Sequence, residues 1–181
     1  MRRLLLPLAA GLVLGGLVHI VTIFAMPRLA QNDAFARLSR LGGTNQIAQL
    51  PDPSPFEAIM PRMDPSIAAA ACVYDLSRGP IEMRVPATPD LTSVAFYSRQ
   101  GSVYYALNDR AANRRSIDLQ LMTSPQRAAL PQDEEITAAD RLIVESPTLQ
   151  GIVLIRAFVR EPGAKDAIRA LLNGAKCAPL R

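Results

Sequence analysis

The 181-residue chain contains no tryptophan, a single histidine and two cysteines, and only 20% of its residues are charged. The histidine, His19, lies inside an uncharged N-terminal run, so everything after that run lacks an imidazole. This excludes a Ser-His-Asp triad, a Cys-His pair and any histidine-ligated metal built from this chain alone. Two cysteines without histidine do not make a zinc site, so no metal and no cofactor is assigned. Without tryptophan, an aromatic platform for a sugar has to be assembled from the tyrosines. Walker, dinucleotide-glycine and nucleophile-elbow spacings are absent as well. There is no basic stripe either. Setting aside Arg2 and Arg3 leaves 18 basic residues against 16 acidic ones, and nucleic-acid binding needs a dense cationic footprint. Arg114 and Arg115 form only an isolated pair, read as a solvated turn.

What is present begins with Met1-Arg2-Arg3 and then LLLPLAAGLVLGGLVHIVTIFAM, Leu4 to Met26, 23 residues without a charge. A helix needs about 20 residues to cross the hydrocarbon core of a bilayer. Signal-peptide apolar regions run about 7–15 residues, and the nearest A-x-A, Ala34-Phe35-Ala36, lies well beyond the run. The reading is an uncleaved single-pass anchor over residues 1–27. Arg2 and Arg3 on one side against Arg28 on the other place the N-terminus in the cytoplasm and the remainder outside, in the periplasm or its equivalent. The membrane expected is the inner, or plasma, membrane. Gly11 and Gly15 make a small-xxx-small pair with Gly16 beside it, the pattern of a helix-mediated homodimer; glycine-tolerant lipid contact is the plainer reading. His19 reads either as a pairing or proton-responsive group or as a tolerated polar residue.

Residues 28–46 read as a juxtamembrane helix. Asn32 or Asp33 caps it, Phe35, Leu38 and Leu41 recur at helical spacing, and Gly42 stands where a C′ glycine belongs. Its Arg37 and Arg40 are expected to face water rather than headgroups. Pro51, Pro53, Pro55, Pro61 and Pro65 then impose extended chain. The compact domain is placed at 47–181, with the proline segment wrapping its surface. Asp64 and Pro65 read as the cap and first residue of a short helix through the alanines, followed by a strand over Cys72–Leu76. Ile81–Val85 alternates apolar and charged, the pattern of a half-buried strand. Ser116–Met122 alternates with Ile117, Leu119 and Leu121 on one side. SPQRAAL reads as a short capped helix, DEEITAAD as an acidic loop, and RLIVES and GIVLIRAFVR as strands. The last is apolar enough to be covered on both faces. A helix from Pro162 to Gly174 closes the chain. Six or seven short strands with a terminal helix give a mainly β domain, an antiparallel sandwich or open barrel.

SVAFYSRQGSVYYALNDR, Ser93 to Arg110, holds three of the four tyrosines and reads as a hairpin turning near Gly101. In the preferred register Val94 and Phe96 share a face with Val103, Tyr105 and Leu107. A bulge at Gly101 instead sets Tyr104 beside Phe96. Polar side chains at a strand end can converge on a ligand, so Tyr97, Tyr104, Asn108 and Arg110 are the candidate ligand-binding residues. Against this stands a plain turn in which Asn108 bonds its own backbone and Arg110 pairs with Asp109 or Asp75. Arg156 must find a partner or reach the surface: either an acidic partner inside the sandwich or a ligand. Asp75, Glu82, Asp109, Asp118 and Glu145 are the carboxylates open to a hydrolytic pair, and nothing in their spacing selects two, so no catalytic residue is assigned. Cys72 and Cys177 are the candidates for a disulfide in an oxidising compartment; two separate buried thiols are the alternative.

MDPSIAAAACVYDLSRGPIEMRV, LTSVAFYSRQGSVYYALNDRAA, GIVLIRAFVREPG and the late cysteine together resemble the short membrane-anchored branch of the bacterial DUF1254 family. The likeness covers nearly the whole chain, including the anchor and NDAFARL. It implies a β-sandwich-like domain and supplies no catalytic residue. Longer members of that family carry a second domain after this one, which implies a companion envelope protein for a chain that stops first. The expected function is a non-catalytic envelope structural or protein-interaction module. A small-ligand or glycan-binding module is the alternative, and a carboxylate-dependent hydrolase comes third.

Overall fold

In the computed structural model of the chain, residues 2–29, 33–54, 59–60, 63–111, 116–130 and 142–180 are described. They form two units, Met1–Asp33 and Ala34–Arg181. The first contains helix α1 (Arg2–Leu29), whose stretch Leu4–Met26 is long and apolar enough to cross a membrane and has its large side chains exposed. By length and composition such a helix is consistent with a single-pass span or a signal sequence. The acidic stretch DEEITAAD lies outside the described residues, as do parts of the proline segment.

The second unit is mainly β. Its strands are β1 (Ile47–Gln49), β2 (Ile67–Asp75), β3 (Ile81–Pro86), β4 (Thr92–Ser98), β5 (Val103–Asn108), β6 (Ser116–Thr123), β7 (Leu142–Ser146), β8 (Gln150–Phe158) and β9 (Lys176–Pro179). One sheet runs β1-β2-β8-β4-β5 and the other β7-β6-β3-β9. Every pairing is antiparallel except β6 with β7. That parallel pair needs a crossover, which begins with helix α3 (Ser124–Ala128). Thr123 and Gln126 hold the start of α3 in a reciprocal capping box, satisfying two backbone donors that a helix start leaves open.

The sheets pack face to face over Tyr74, Met83, Val94, Phe96, Leu121 and Ile155, joined by Ile168 and Leu172 of helix α4 (Lys165–Leu172). β3 shows the local logic: Ile81, Met83 and Val85 are buried while Glu82 and Arg84 are exposed, the period of two that a one-sided strand requires. The five-stranded sheet is covered on its other face as well. Phe35 and Leu38 of helix α2 (Ala34–Leu38), with Leu41, Leu50, Ile59, Met60 and Met63, pack over Ala69, Ala71, Val73 and Ile152. This accounts for the nearly unbroken apolar run of β8, which is central in that sheet. It also brings the 34–46 segment into the body of the domain instead of leaving it as a separate juxtamembrane helix. The compact unit therefore begins at Ala34, ahead of the expected Ile47.

Three expectations are corrected. The helix expected after Asp64 is strand β2: its alanines pair along their whole length with β8, and that ladder overrides their helical propensity. Asp64 instead turns the chain, its carboxylate accepting from the Ser66 N–H at 2.8 Å. α2 ends at Leu38, short of Gly42. β9 has no counterpart among the expected strands; four residues, Lys-Cys-Ala-Pro, carry too little pattern. It is nevertheless tied across the sandwich, because a disulfide joins its Cys177 to Cys72 of β2.

Candidate functional site

The β4–β5 hairpin combines both registers. Val94 lies opposite Leu107 and Phe96 opposite Tyr105, and then the pairing slips so that Tyr97 faces Val103. Tyr104 is the extra residue of the bulge. In such a bulge two side chains oppose one, and the rings of Tyr104 and Tyr105 stand 6.2 and 5.9 Å from Phe96. Gly101, at φ +84°, takes the left-handed turn position.

The bulge separates the four candidate ligand residues. Tyr104 points between the sheets, packed against the core. Its hydroxyl lies 3.1 Å from that of Tyr74, which is 2.9 Å from Ser146 Oγ, and Ser146 in turn donates to the Thr148 carbonyl at 2.6 Å. The arrangement that uses all three protons runs Tyr104 to Tyr74 to Ser146 to Thr148. Tyr97 lies on the opposite face, against the outer apolar layer. Asn108 and Arg110 sit at the far end of β5. Asn108 Oδ1 accepts from the Arg110 N–H at 3.2 Å, an Asx turn. Neither Asp109 nor Asp75 pairs with Arg110 among the described residues; Asp75 is engaged by Gln150 and the Ser77 N–H. The four residues do not form one site.

Tyr104 carries a pH prediction. Burial, with a smaller contribution from Tyr74, pushes its phenol well above the ordinary tyrosine range. The unfolded chain then releases that proton from about pH 10 while the folded chain retains it. Stability should fall with rising pH above that point by about 1.4 kcal/mol per unit for this group, with no effect below it. Tyr104→Phe should be less stable at neutral pH but lose less above pH ~10, so the two urea midpoints converge as pH rises. Parallel curves would show that the hydroxyl is not held in this way.

The hydrolytic alternative finds little in the geometry. A general acid needs a raised pKa. Glu145 is held below the usual carboxylate range by Ser124 and then Arg127, and Asp75 by Gln150 and then Ser77. Asp118 is bound to Arg84 and Ser116. No group of three or more potential metal ligands occurs among the described residues. A shallow cavity of about 320 Å³ opens between β1 and β9, lined by Gln46, Gln49, Asn173 and Lys176; Gln49 is already spent on the Arg169 carbonyl and Asn173.

Arg156 does not pair with an acid inside the sandwich. It lies on the outer face, opposite Ala69 of β2 and Ser93 of β4, and Ser93 is itself opposite Asn108 of β5. Its Nε is buried without a hydrogen-bond partner, as is Nε of Arg37, which was expected to face water. Sequence reasoning missed Ser93, because nothing local marks it as the cross-strand neighbour of both Arg156 and Asn108.

A family model described as "Protein of unknown function (DUF1254)" matches residues 44–179. Among solved structures the fold is similar to the VPA0106 protein of Vibrio parahaemolyticus, with a TM-score of 0.59 and 9% identity, over 82% of this chain and 35% of that one. An uncharacterised protein from Burkholderia cenocepacia aligns over 85% of this chain and 47% of its own, at 12% identity and a TM-score of 0.44. The chain thus spans about a third of the first and about half of the second. No curated protein matches.

Proposed function

Because the chain belongs to the DUF1254 family, whose members share a domain of unknown function, we propose that it is a membrane-anchored, extracytoplasmic interaction module that offers strand β5 to a companion envelope protein. The observation that carries this reading is the chemistry of the sheet edges. A bare strand edge invites pairing with another chain, and proteins blunt it with short strands, charge or proline. β1 is three residues long. β7 carries Glu145, which pairs with Arg127. β9 begins with Lys176 and ends with Pro179. β5, the remaining edge, reads Val-Tyr-Tyr-Ala-Leu-Asn without charge or proline, and Val103 is 59% exposed. Such an edge suits strand addition, in which main-chain bonds give affinity and alternate side chains give selectivity.

The anchoring half of the proposal is supported by the apolar span, by the arginines ahead of it, and by the Cys72–Cys177 disulfide, which suits an oxidising compartment. A photo-crosslinking residue at Val103 in native membranes should capture a discrete partner, and the same group at Glu82, exposed on β3 of the other sheet, should not. With the crosslinking residue moved to Tyr105, also exposed on β5, Val103→Lys should abolish the adduct while leaving the fold intact. No adduct at Val103, or the same adduct at Glu82, would overturn the assignment.

A further inference from the structure

We propose that the outer face of the five-stranded sheet holds a binding site for an amphiphilic oxyanion, an acidic headgroup with an apolar tail, centred on Arg156. This site lies on the face of the sheet, reaching Asn108 at the end of β5, and does not depend on the strand-addition reading.

The argument starts from burial. Arg156 stands in the central strand of a sheet covered on both faces, and its Nε is fully buried with no partner. No ion pair to Arg156 occurs among the described residues. A buried N–H without an acceptor is destabilising, and because the Arg156 side chain as a whole is only half-buried, a ligand can reach it and supply the acceptor. An acid is at hand in this corner, Asp90, but it is committed to Arg160.

The neighbours define what the ligand is. The sheet places Ala69, Arg156, Ser93 and Asn108 in one row across four strands. The adjoining row, Ala71, Leu154, Ala95 and Ala106, consists mostly of alanines, so side chains near the guanidinium are small. Strands lie about 4.8 Å apart, so Ser93 stands one strand spacing from Arg156 and Asn108 two, both on the same side of it. A planar guanidinium takes carboxylate or phosphate oxygens two at a time.

On the other side of Arg156 the same face turns apolar. Phe158, two residues along β8, is 43% exposed, and beside it Leu91 is 50% exposed. The Phe158 N–H donates to the Leu91 carbonyl at 2.9 Å, which fixes the two together. A cation with polar flanks on one side and an exposed apolar pair on the other matches a ligand with a charged head and a greasy tail. Neither a metal nor a nucleic acid has that chemistry.

The test uses the full chain in nanodiscs of zwitterionic lipid, with octanoate as probe and backbone amide resonances of Ser93, Asn108 and Arg156 as readout. Octanoate should shift these amides saturably. Acetate, which lacks the tail, should need at least about tenfold higher concentration, one decade being the smallest loss that clearly separates the two. Arg156→Met should abolish the response and raise the urea midpoint of the ligand-free protein, since it removes a buried N–H that has no acceptor. Ser93→Val, which leaves the guanidinium but crowds the row, should weaken the response without that gain. Phosphatidylglycerol nanodiscs without octanoate separate the sources: Arg156-dependent shifts there identify a lipid headgroup, and shifts with octanoate alone identify a free acid. Amides that move in neither arm, or that move equally in Arg156→Met, overturn the proposal, as does an Arg156→Met chain that is less stable than the parent.

Discussion

Replacing Gly151 with alanine is expected to destabilise the domain by about 3 kcal/mol or more, at the upper end of what overpacking a core costs. A Cβ at this position would fall inside the van der Waals radii of the Tyr97 carbonyl oxygen and of the Tyr74 hydroxyl and Cζ. None of these can give way cheaply. Tyr97 is fixed by the β4–β8 ladder, where it lies opposite Ile152. Tyr74 is fully buried, and its hydroxyl is held at 2.9 Å from Ser146 Oγ. The added methyl therefore has to break either a backbone register or the buried hydroxyl chain. At this chain length the expected fall in melting temperature is about 6–12 °C. Gly163→Ala is the control: open space surrounds that glycine and its φ is not positive, so the change should be near neutral. Equal melting temperatures for the two variants would mean that the close approach of β8 to Tyr74 is not as described.

Loss of the disulfide should be comparably large. Cys72 and Cys177 are 105 residues apart in sequence, and closing a loop of about 100 residues lowers the entropy of the unfolded chain by up to about 4.7 kcal/mol, with measured losses of native bridges at about 2–5 kcal/mol. The position adds to this. Among the described residues β9 is an edge strand that pairs only with β3, and the bridge to β2 ties it covalently to the other sheet. The Cys72→Ala/Cys177→Ala double variant should unfold at clearly lower urea, and reductant should carry the parent protein to the same midpoint. A parent whose midpoint is unchanged by reductant after complete thiol labelling would show that the cross-sheet tie contributes nothing.

How much of this was legible in the residues differs from element to element. β3 and β6 were, because strict alternation over five or more residues is a local signal, although only β3 buries a single face; β6 buries Gln120 and Met122 as well. β8 was, because an uninterrupted apolar run marks a strand with no solvent side. β2 was not: four successive alanines have no period, and the choice between helix and strand fell to the ladder with β8. β9 was too short to show a pattern.

The candidate site followed the same division. The residues showed that Arg156 had to be answered by something and that Asn108 closes a strand. They did not show that the two share a face with Ser93 between them, because that depends on the order β8-β4-β5. Nor did they separate Tyr97 from Tyr104, since a one-residue bulge reverses the face on which every later side chain points.

By itself the sequence determined an apolar N-terminal helix, a mainly β body and a chemistry without imidazole outside that helix. These are properties of composition and local period, which the chain carries before it folds. The tertiary structure alone decided which faces are buried twice, which strands stand at the sheet edges and which residues share a row with Arg156. The reason is that strand order and register join residues far apart along the chain, and nothing local encodes which strand will lie beside which.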